Sequence, residues 1–272
     1  MKPTLSIITI NWNNAAGLKK TVDSIPPQTN NLCEYIVVDG DSDDESKEII
    51  SLNKDRVNKI IIEPNAGIYG NMNKGIRIAE GTYCLFLNSG DWLCENIIKR
   101  ALNECTGEDI IYFKTILSYP GTIYEEIGYD RQLTLKSFYN STIGHQTTFI
   151  KKSLFERYGF YNEANKLHSD YEFWLKTLIQ HNCNSRYVDF PLAYYDMTGR
   201  TSAPSIASTM EIEKIKKKYI PMRILEDYDY WQTYKAENVA FEWVKQKKYM
   251  SILIKLVFNV AKSVAKLRKR LI

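Results

Sequence analysis

Short apolar runs rich in β-branched residues alternate, along the first part of the chain, with segments whose apolar residues recur at helical spacing. The runs have the length of buried strands, and polar loops separate them from the helical segments. The predicted strands are 5–10, 35–38, 59–62 and 83–87, and the predicted helices between them are 16–24, 45–52 and 70–79. Strands that alternate with helices predict an α/β fold with a mostly parallel sheet and helices on both faces.

The alternation becomes less regular from about residue 110. Short strands are predicted at 110–113 and 147–150, and helices at 152–158 and 171–180. A further stretch, 208–249, is expected to be helical with an interruption at Pro221. The pattern therefore predicts a regular first half, a less regular second half and a helical C-terminal extension.

Charge is distributed unevenly along the 272 residues, whose formal net charge is +4. Residues 245–272 contain nine Lys or Arg and no Asp or Glu, and subtracting these nine from +4 leaves −5 for residues 1–244. The basic character belongs to the tail, so a nucleic-acid groove across the main domain is not implied.

The five cysteines are scattered without CxxC pairs, which argues against a zinc ribbon and a secreted disulfide framework. We expect them to be reduced thiols in a cytosol. The N-terminal segment lacks the apolar stretch of a signal peptide, and no apolar run reaches the roughly 18 to 20 residues of a spanning helix. We therefore expect a cytoplasmic protein without an integral membrane segment.

Polar clusters follow three of the predicted strands, at 11–14, 39–44 and 88–91. Ligands of open α/β sheets bind outside the carboxyl ends of the strands, so we expect these clusters to lie along one binding edge. The sequence contains no G-x-x-x-x-G-K-[ST] loop, which excludes a P-loop. It also has no G-x-G-x-x-G after the first strand, so a dinucleotide-binding enzyme loses its main support.

Six segments, taken in order, resemble motifs of the family 2 inverting glycosyltransferases, which have the GT-A fold. They are LSIITINWNN, EYIVVDGDSDD, EPNAGIYGNMNKG, GTYCLFLNSGDW, GHQTTFIKKSLFERYGFYNE and HSDYEFWLK. The resemblance implies a Rossmann-like, mostly parallel sheet flanked by helices in a catalytic domain at 1–207. Its nucleotide-sugar-binding half would be about 1–109 and its acceptor-side half about 110–207, followed by a helical extension at 208–272.

The resemblance assigns Asp39, which follows the second predicted strand, to the nucleotide base. A carboxylate there can accept a hydrogen bond from N3–H of uracil. Thr9 and Asn11, at the end of the first strand, would line the same base and ribose pocket. The alternative is that Asp39 only opens a turn with Gly40, as Asp often does.

In the segment NAGIYGNMNKG, Gly67 and Gly70 would allow close approach of a ligand, and Asn73 and Lys74 would reach the donor phosphates or ribose. Family members often carry Asp where this chain has Gly70 or Asn71. A loop followed by the first turn of a helix explains the segment equally well, and both interpretations stay open.

The segment Asn88-Ser89-Gly90-Asp91 occupies the position of the family's Asp-x-Asp motif, at which a divalent cation neutralises the donor diphosphate. The resemblance therefore implies Mg²⁺ or Mn²⁺ at Asp91, with Asn88 and Ser89 beside the donor. Only Asp91 is a carboxylate here, so we expect metal binding to persist but to be weaker. A plain strand-ending turn is the alternative.

Asp170, in HSDYEFWLK, matches the family's general base, which takes the proton of the acceptor hydroxyl. Inversion at the anomeric carbon follows from that single displacement. Glu172 would diverge from Asp170 by about 200° on a helix, so the two acids cannot both face the site. Asp170 also suits the N-terminal cap of a helix, and both roles can hold together.

Two further residues are candidates for contact with the substrates, His145 by the resemblance and Arg200 as a cation of a loop. His145, at the start of the strand 147–150, would face the acceptor or the donor phosphates. Arg200, in MTGRTSAPS, would close over the diphosphate. The alternatives are a structural histidine and an ordinary surface arginine.

The tail 248–272 has apolar residues on one predicted helical face and lysines on the other. Such a helix can lie among anionic headgroups at the inner face of the cell membrane, and the alternative is a helix packed on the catalytic domain or pairing two subunits. The apolar face contains Met250, Leu253, Ile254, Val257, Val260, Ala261, Val264 and Leu271, and the opposite face Lys248, Lys255, Lys262, Lys266 and Lys269.

Together these features predict a peripheral membrane enzyme that transfers a sugar from a UDP-sugar to a lipid-linked oligosaccharide in surface polysaccharide synthesis. Two alternatives stay open. A sugar nucleotidyltransferase would need a Gly-rich basic loop after the first strand, which NWNN does not provide. A non-catalytic protein that binds nucleotide sugars is suggested by the altered 88–91 motif.

Overall fold

The computed structural model describes residues 2–26, 33–199, 205–237, 239, 243 and 246–268, and it confirms the predicted α/β fold with C-terminal helices. The strands are β1 Leu5–Asn11, β2 Cys33–Asp39, β3 Lys59–Ile62, β4 Tyr83–Phe86, β5 Trp92–Leu93, β6 Ile110–Tyr119, β7 Ile123–Ile127, β8 Thr148–Lys151 and β9 Ser185–Asp196. The α-helices are α1 Ala15–Ser24, α2 Ser46–Leu52, α3 Gly67–Ile78, α4 Ile97–Leu102, α5 Leu135–Tyr139, α6 Lys152–Tyr158, α7 Ser169–Trp174, α8 Ile206–Tyr219, α9 Met222–Glu237 and α10 Lys248–Arg268.

The nine strands of the described residues form one sheet, in the order β3-β2-β1-β4-β8-β6-β9-β5, with β7 paired to β6. The first four strands are parallel, as predicted. Asn11 pairs with Asp39 at the carboxyl ends of β1 and β2. The polar clusters after β1, β2 and β4 therefore lie along one edge of the sheet, as the alternating pattern predicts.

The second half adds strands in both directions. β8 is antiparallel to β4 and β6, β9 is parallel to β6, and β5 is antiparallel to β9. The predicted strand 110–113 continues to Tyr119, and β5, β7, β9, α4 and α5 had no sequence prediction. The predicted helix 171–180 begins two residues earlier as α7 and continues as a π-helical segment, Leu175–Gln180.

Helix α3 packs closely on the sheet at Gly75. A Cβ at this position would lie 2.5 Å from Cγ2 of Ile8 on β1, so only glycine allows this approach. The buried face of α3 carries Tyr69 and Asn73 toward the segment that precedes α7. The close packing of α3 thus fixes one side of the candidate site.

The chain divides by its internal contacts into two compact units, Met1–Tyr219 and Ile220–Ile272. Helix α8 belongs to the first unit, and Pro221 separates it from α9, as the sequence predicts. The predicted domain boundary at 207 and 208 falls earlier and stays a prediction. No helix in the described part of the chain is both long enough and apolar enough to cross a membrane.

Candidate active site

A hydrogen-bonded chain connects the 88–91 turn to the predicted base. Asn88, after β4, places Nδ2 3.2 Å from Nε2 of His145, which begins the 3₁₀ helix before β8. Nδ1 of His145 lies 3.2 Å from Oδ2 of Asp170 in the first turn of α7. Because an amide nitrogen can only donate, Nε2 accepts from Asn88, and Nδ1–H donates to the carboxylate.

Tyr69 holds the other oxygen of Asp170. Its hydroxyl lies 2.8 Å from Oδ1 of Asp170 and 2.8 Å from the carbonyl oxygen of Leu167. Burial raises the pKa of Asp170, but hydrogen bonds from His145 and Tyr69 outweigh it and hold the pKa below its ordinary value of 3.8. Asp170 is therefore an oriented, ionised carboxylate, which is the protonation state a general base needs.

Glu172 has a separate set of partners, as helical geometry predicts. One carboxylate oxygen accepts hydrogen bonds from Lys218 and Tyr219 of α8, each at 2.6 Å. The other accepts from Asn162, at 2.9 Å, and from Asn165. Glu172 therefore joins α8 to the segment that carries Asp170 and has no share in the cluster around His145.

The 88–91 turn presents Asp91 as a buried carboxylate. Oδ1 of Asp91 accepts a hydrogen bond of 2.9 Å from the backbone N–H of Asp196. Burial raises the pKa of Asp91 to about 7, against the lowering effect of that hydrogen bond and of the nearby His145 and Lys20 side chains, while the carboxylate of Asp196 raises it further.

The residues of this turn fit a divalent cation shared with a substrate better than a closed protein cage. Among the described residues no three or more His, Cys, Asp or Glu side chains are grouped so that they could hold a metal ion. Oδ1 of Asn88, however, is buried without a hydrogen-bond partner in the described structure. Mg²⁺ commonly takes one or two carboxylates and completes its shell with substrate phosphates and water, which suits this donor set.

In the predicted base pocket, the oxygens of Asp39 already accept hydrogen bonds from the protein, whereas the amide oxygen of Asn11 does not among the described residues. Asp39 is fully buried, and its oxygens accept hydrogen bonds from Asn11 Nδ2 at 2.7 Å and from the backbone N–H and hydroxyl of Ser42, both at 2.8 Å. Oδ1 of Asn11 is buried and has no partner within the described residues. Trp12, which the sequence analysis did not select, is 44% exposed beside this pocket.

Three predicted donor contacts are turned away from the cluster. The Thr9 hydroxyl is buried, donates to the carbonyl of Leu87 at 2.7 Å and accepts from Tyr35 at 3.0 Å. Lys74 forms an ion pair of 3.0 Å with Glu63. In both residues the polar group already has a protein partner, and their predicted role as donor ligands stays a prediction.

Asn73, the third, holds the segment before α7. Its Nδ2 donates to the Tyr161 carbonyl and to Glu163, both at 2.9 Å, and its Oδ1 accepts from the Tyr161 N–H at 3.0 Å. The side chain is 1% exposed and supports the acidic segment from beneath, and its predicted contact with the donor stays a prediction. Gly67 begins α3 with a φ of +80°, and no atom of the described structure lies within 4 Å of the position that a Cβ would occupy.

Ser89 is held in the 88–91 turn by hydrogen bonds from Asn14. The hydroxyl and carbonyl of Ser89 accept hydrogen bonds from Nδ2 of Asn14, the N-cap of α1, at 3.2 and 3.0 Å.

Glu211 of α8 accepts hydrogen bonds from three backbone N–H groups of the segment 166–168, at 2.7 to 2.9 Å. No local motif in the sequence marks Glu211. Arg200 lies outside the described residues.

A parallel sheet with polar loops at the ends of β1, β2 and β4, facing an acidic helix start, is the arrangement expected of a GT-A glycosyltransferase. The sequence profile of Glycosyl transferase family 2 matches residues 6–159, more than half of the 272-residue chain, and the protein belongs to that family. The resemblance to this family and the GT-A fold expected from it are thereby confirmed.

Curated relatives have the same class of name. A PGL/p-HBAD biosynthesis glycosyltransferase of Mycobacterium tuberculosis is 29% identical over 208 residues, which cover 74% of this chain and 79% of the relative. An uncharacterized glycosyltransferase of the same species is 28% identical over 206 residues, covering 72% and 76%.

Solved structures share the fold. Residues 1–349 of Staphylococcus aureus TarS in complex with UDP superpose with a TM-score of 0.59 at 20% identity, covering 71% of this chain and 60% of that one. The mannosyltransferase PcManGT from Pyrobaculum calidifontis, with GDP-Man and Mn²⁺, gives a TM-score of 0.54 at 14% identity, covering 74% and 59%. This chain thus spans about three fifths of the length of these solved chains.

Proposed function

We propose that this glycosyltransferase is an inverting enzyme in which Asp170 is the general base. Asp170 takes the proton of an acceptor hydroxyl while the hydroxyl oxygen bonds to the anomeric carbon and the nucleoside diphosphate leaves with the electrons of the broken C–O bond. The observation that carries the proposal is the chain from Asn88 through His145 to Asp170. It joins the turn expected to hold the donor diphosphate to an oriented carboxylate.

The proposed donor is a UDP-sugar that carries a hexose or an N-acetylhexosamine. One protein that shares the fold, TarS, was solved both with UDP and with UDP-GlcNAc. In this chain Asn11 offers a buried amide oxygen to an N–H donor, and the exposed ring of Trp12 offers a stacking surface to a base. We assign these two residues and the loop that begins with Asp39 to the nucleoside.

The proposed cofactor is Mg²⁺ or Mn²⁺, held by Asp91 and by the amide oxygen of Asn88. When bound, the ion neutralises charge on the diphosphate and so makes it a better leaving group. PcManGT, which shares the fold, was solved with Mn²⁺. Ser89, tied to Asn14, fixes the shape of the turn on which these ligands lie.

The proposed acceptor is a lipid-linked oligosaccharide of surface polysaccharide such as O-antigen, reached from the inner membrane surface. Helix α10 exposes Leu253, Val257 and Val260 on one face, each more than half exposed, and Lys255 and Lys262 project from the opposite face. An apolar face with a lysine stripe fits a layer of anionic headgroups. Binding to anionic but not to zwitterionic vesicles is expected, whereas a stable dimer that ignores vesicles would assign α10 to subunit pairing.

Thermal stabilisation by nucleotides tests the donor assignment without knowledge of the acceptor. The purified protein is melted with UDP, GDP, CDP or ATP, in Mn²⁺ and then in EDTA, because a ligand that binds the native state raises Tm. We expect UDP with Mn²⁺ to give the largest shift and EDTA to remove most of it. Stabilisation by ATP alone would instead favour a nucleotidyltransferase.

The Asp170→Asn variant tests the catalytic assignment. With UDP-sugars that stabilise the protein, we expect sugar transfer to water or to added acceptors to fall by about 10²- to 10⁴-fold, with UDP binding retained. Asp189→Asn is the control, because Asp189 is an exposed acid paired with Lys114. Unchanged turnover in Asp170→Asn would contradict the assignment, and donor binding without any turnover in the wild type would favour a non-catalytic protein.

A further inference from the structure

The 88–91 turn lacks the second carboxylate that its position in the family leads one to expect. Asp91 is its one acid, and Gly90 has a φ of +111°, a conformation that residues with a Cβ rarely adopt. An aspartate at position 90 would therefore strain this turn. A second carboxylate must come from another part of the chain if the site has one.

Asp196, at the end of β9, supplies a carboxylate at this place. Trp92 pairs with Tyr194, and continuing this antiparallel register by two residues brings Gly90 opposite Asp196. Oδ2 of Asp196 lies 3.5 Å from the position that a Cβ on Gly90 would occupy. The charge that the turn cannot carry is thus present beside it, on the neighbouring strand.

The Asp196 side chain is fixed in this orientation from both ends. Its Oδ1 accepts hydrogen bonds from the backbone N–H of Thr198, at 2.9 Å, and from the Thr198 hydroxyl, at 2.6 Å. Its own backbone N–H donates to Oδ1 of Asp91 at 2.9 Å. The two acids are therefore held in one rigid unit, with Oδ2 of Asp196 directed to the turn.

We propose that Asp196 is the second carboxylate ligand of the divalent cation, with Asp91 the first and Oδ1 of Asn88 a neutral third. This inference rests on the proposed function, since it assumes that a nucleoside diphosphate brings the ion. Two carboxylates with phosphate oxygens suffice for Mg²⁺ or Mn²⁺. The cation also compensates the repulsion between two neighbouring buried or half-buried acids.

A rival explanation is that Asp196 only balances the charge of Lys20. The ammonium of Lys20 lies 3.2 Å from the centre of the Trp92 ring and attracts both Asp91 and Asp196. If this attraction is the whole role of Asp196, replacing the acid leaves metal affinity unchanged. The two explanations therefore differ in a property that can be measured directly.

The test is a titration of Mn²⁺, followed by the electron paramagnetic resonance signal of the free ion, with UDP present and absent. Asp196→Asn and Asp91→Asn are each expected to weaken Mn²⁺ binding in the presence of UDP by about tenfold or more. Asp189→Asn is the matched control on the same strand, where the acid pairs with Lys114, and is expected to bind as the wild type does. Wild-type Mn²⁺ affinity in Asp196→Asn overturns the proposal.

Asp196→Cys provides a second readout, measured on the UDP-bound protein and compared with the wild type, which has the same five native thiols. A thiolate ligand favours soft metals, so the ratio of Cd²⁺ to Mn²⁺ affinity at the UDP-dependent site is expected to rise about tenfold or more if the side chain at 196 touches the ion. An unchanged ratio overturns the proposal. UDP binding is measured separately, from the shift in Tm. If UDP binds but Mn²⁺ affinity is the same with and without the Asp196 carboxylate, this inference alone is refuted. If UDP does not bind at all, the proposed function is refuted as well.

Discussion

Replacement of Glu172 by Gln tests the joint between α8 and the acidic segment. Each carboxylate oxygen of Glu172 accepts from two donors, Lys218 and Tyr219 on one side and two asparagine amides on the other. Glutamine keeps the shape but has one oxygen and one NH₂ group. In either orientation the NH₂ group faces a pair of donors, so at least one pair loses its acceptor.

The expected loss follows from burial and from the charge of the partners. Glu172 is 3% exposed, and hydrogen bonds to a charged group contribute about 1.5–3 kcal/mol each. The side chain of Lys218 is 57% exposed, so water recovers much of its share. We therefore expect a total loss of about 3 kcal/mol, equivalent to roughly 6–12 °C in Tm for a unit of this size.

The loss should also depend on pH with a defined sign. Burial raises the pKa of Glu172, but hydrogen bonds from Lys218, Tyr219 and Asn162 outweigh it and hold the pKa below 4.5. A group whose pKa is lowered by folding stabilises the protein above its unfolded pKa, about 4.3, and loses that contribution as pH falls through the folded value. The difference in Tm between wild type and Glu172→Gln should be full at pH 7 and shrink below about pH 4.

Thermal melts followed by circular dichroism between pH 3.5 and 7 measure both effects. Glu156→Gln is the control, because Glu156 is 60% exposed and forms only a 3.7 Å pair with Lys152, worth less than about 0.5 kcal/mol. The reasoning is refuted if Glu172→Gln melts within a degree or two of Glu156→Gln at pH 7, or if its deficit persists unchanged at pH 3.5.

Three further substitutions probe the supports of the site. Glu211→Gln weakens the clamp on the 166–168 backbone, because an NH₂ group replaces one of the accepting oxygens. We expect UDP-sugar turnover to fall about tenfold, with a modestly lowered Tm and nearly unchanged UDP affinity; an equal fall in UDP affinity would indicate a purely structural role. Asn73→Ala strands buried backbone groups of Tyr161 and should lower stability by about 1–3 kcal/mol, measured in urea. Gly75→Ala forces a Cβ to 2.5 Å from Ile8 and should destabilise by a similar 1–3 kcal/mol, whereas a neutral effect would show that α3 can shift.

The first half of the fold could be predicted because three of its four parallel strands are buried on both faces. β1, β2 and β4 are continuous apolar runs that end in polar loops, and such runs identify parallel strands without reference to the rest of the chain. β7 is mostly exposed and β9 mixes charged, aromatic and apolar residues, so neither has a clear local period. Their pairing with β6 depends on contacts distant in sequence, which a local pattern does not contain.

In the candidate site too, local motifs predict which residues are present, but contacts distant in sequence decide which of their side chains stay accessible. Asn88, His145 and Asp170 were selected on motifs and do meet in one cluster. Thr9 lies on the same face of β1 as Asn11 but one pleat further into the sheet, where Leu87 and Tyr35 cover its hydroxyl. A motif states which residue occupies a position, but it does not state whether the folded chain leaves that side chain open to a ligand.

Two glycines in the motif segments, Gly70 and Gly90, each lie close to a carboxylate from a distant part of the chain. Gly70 stands where family members often carry Asp, and a Cβ there would lie 3.6 Å from Oε2 of Glu163. Gly90 lies in the metal motif, and the same construction places Oδ2 of Asp196 at 3.5 Å. In both places a carboxylate from a distant segment lies where a local acid is missing. A comparison by position therefore counts two lost charges, whereas these two carboxylates still contribute to the electrostatic field at both places, because that field depends on where charges lie in space.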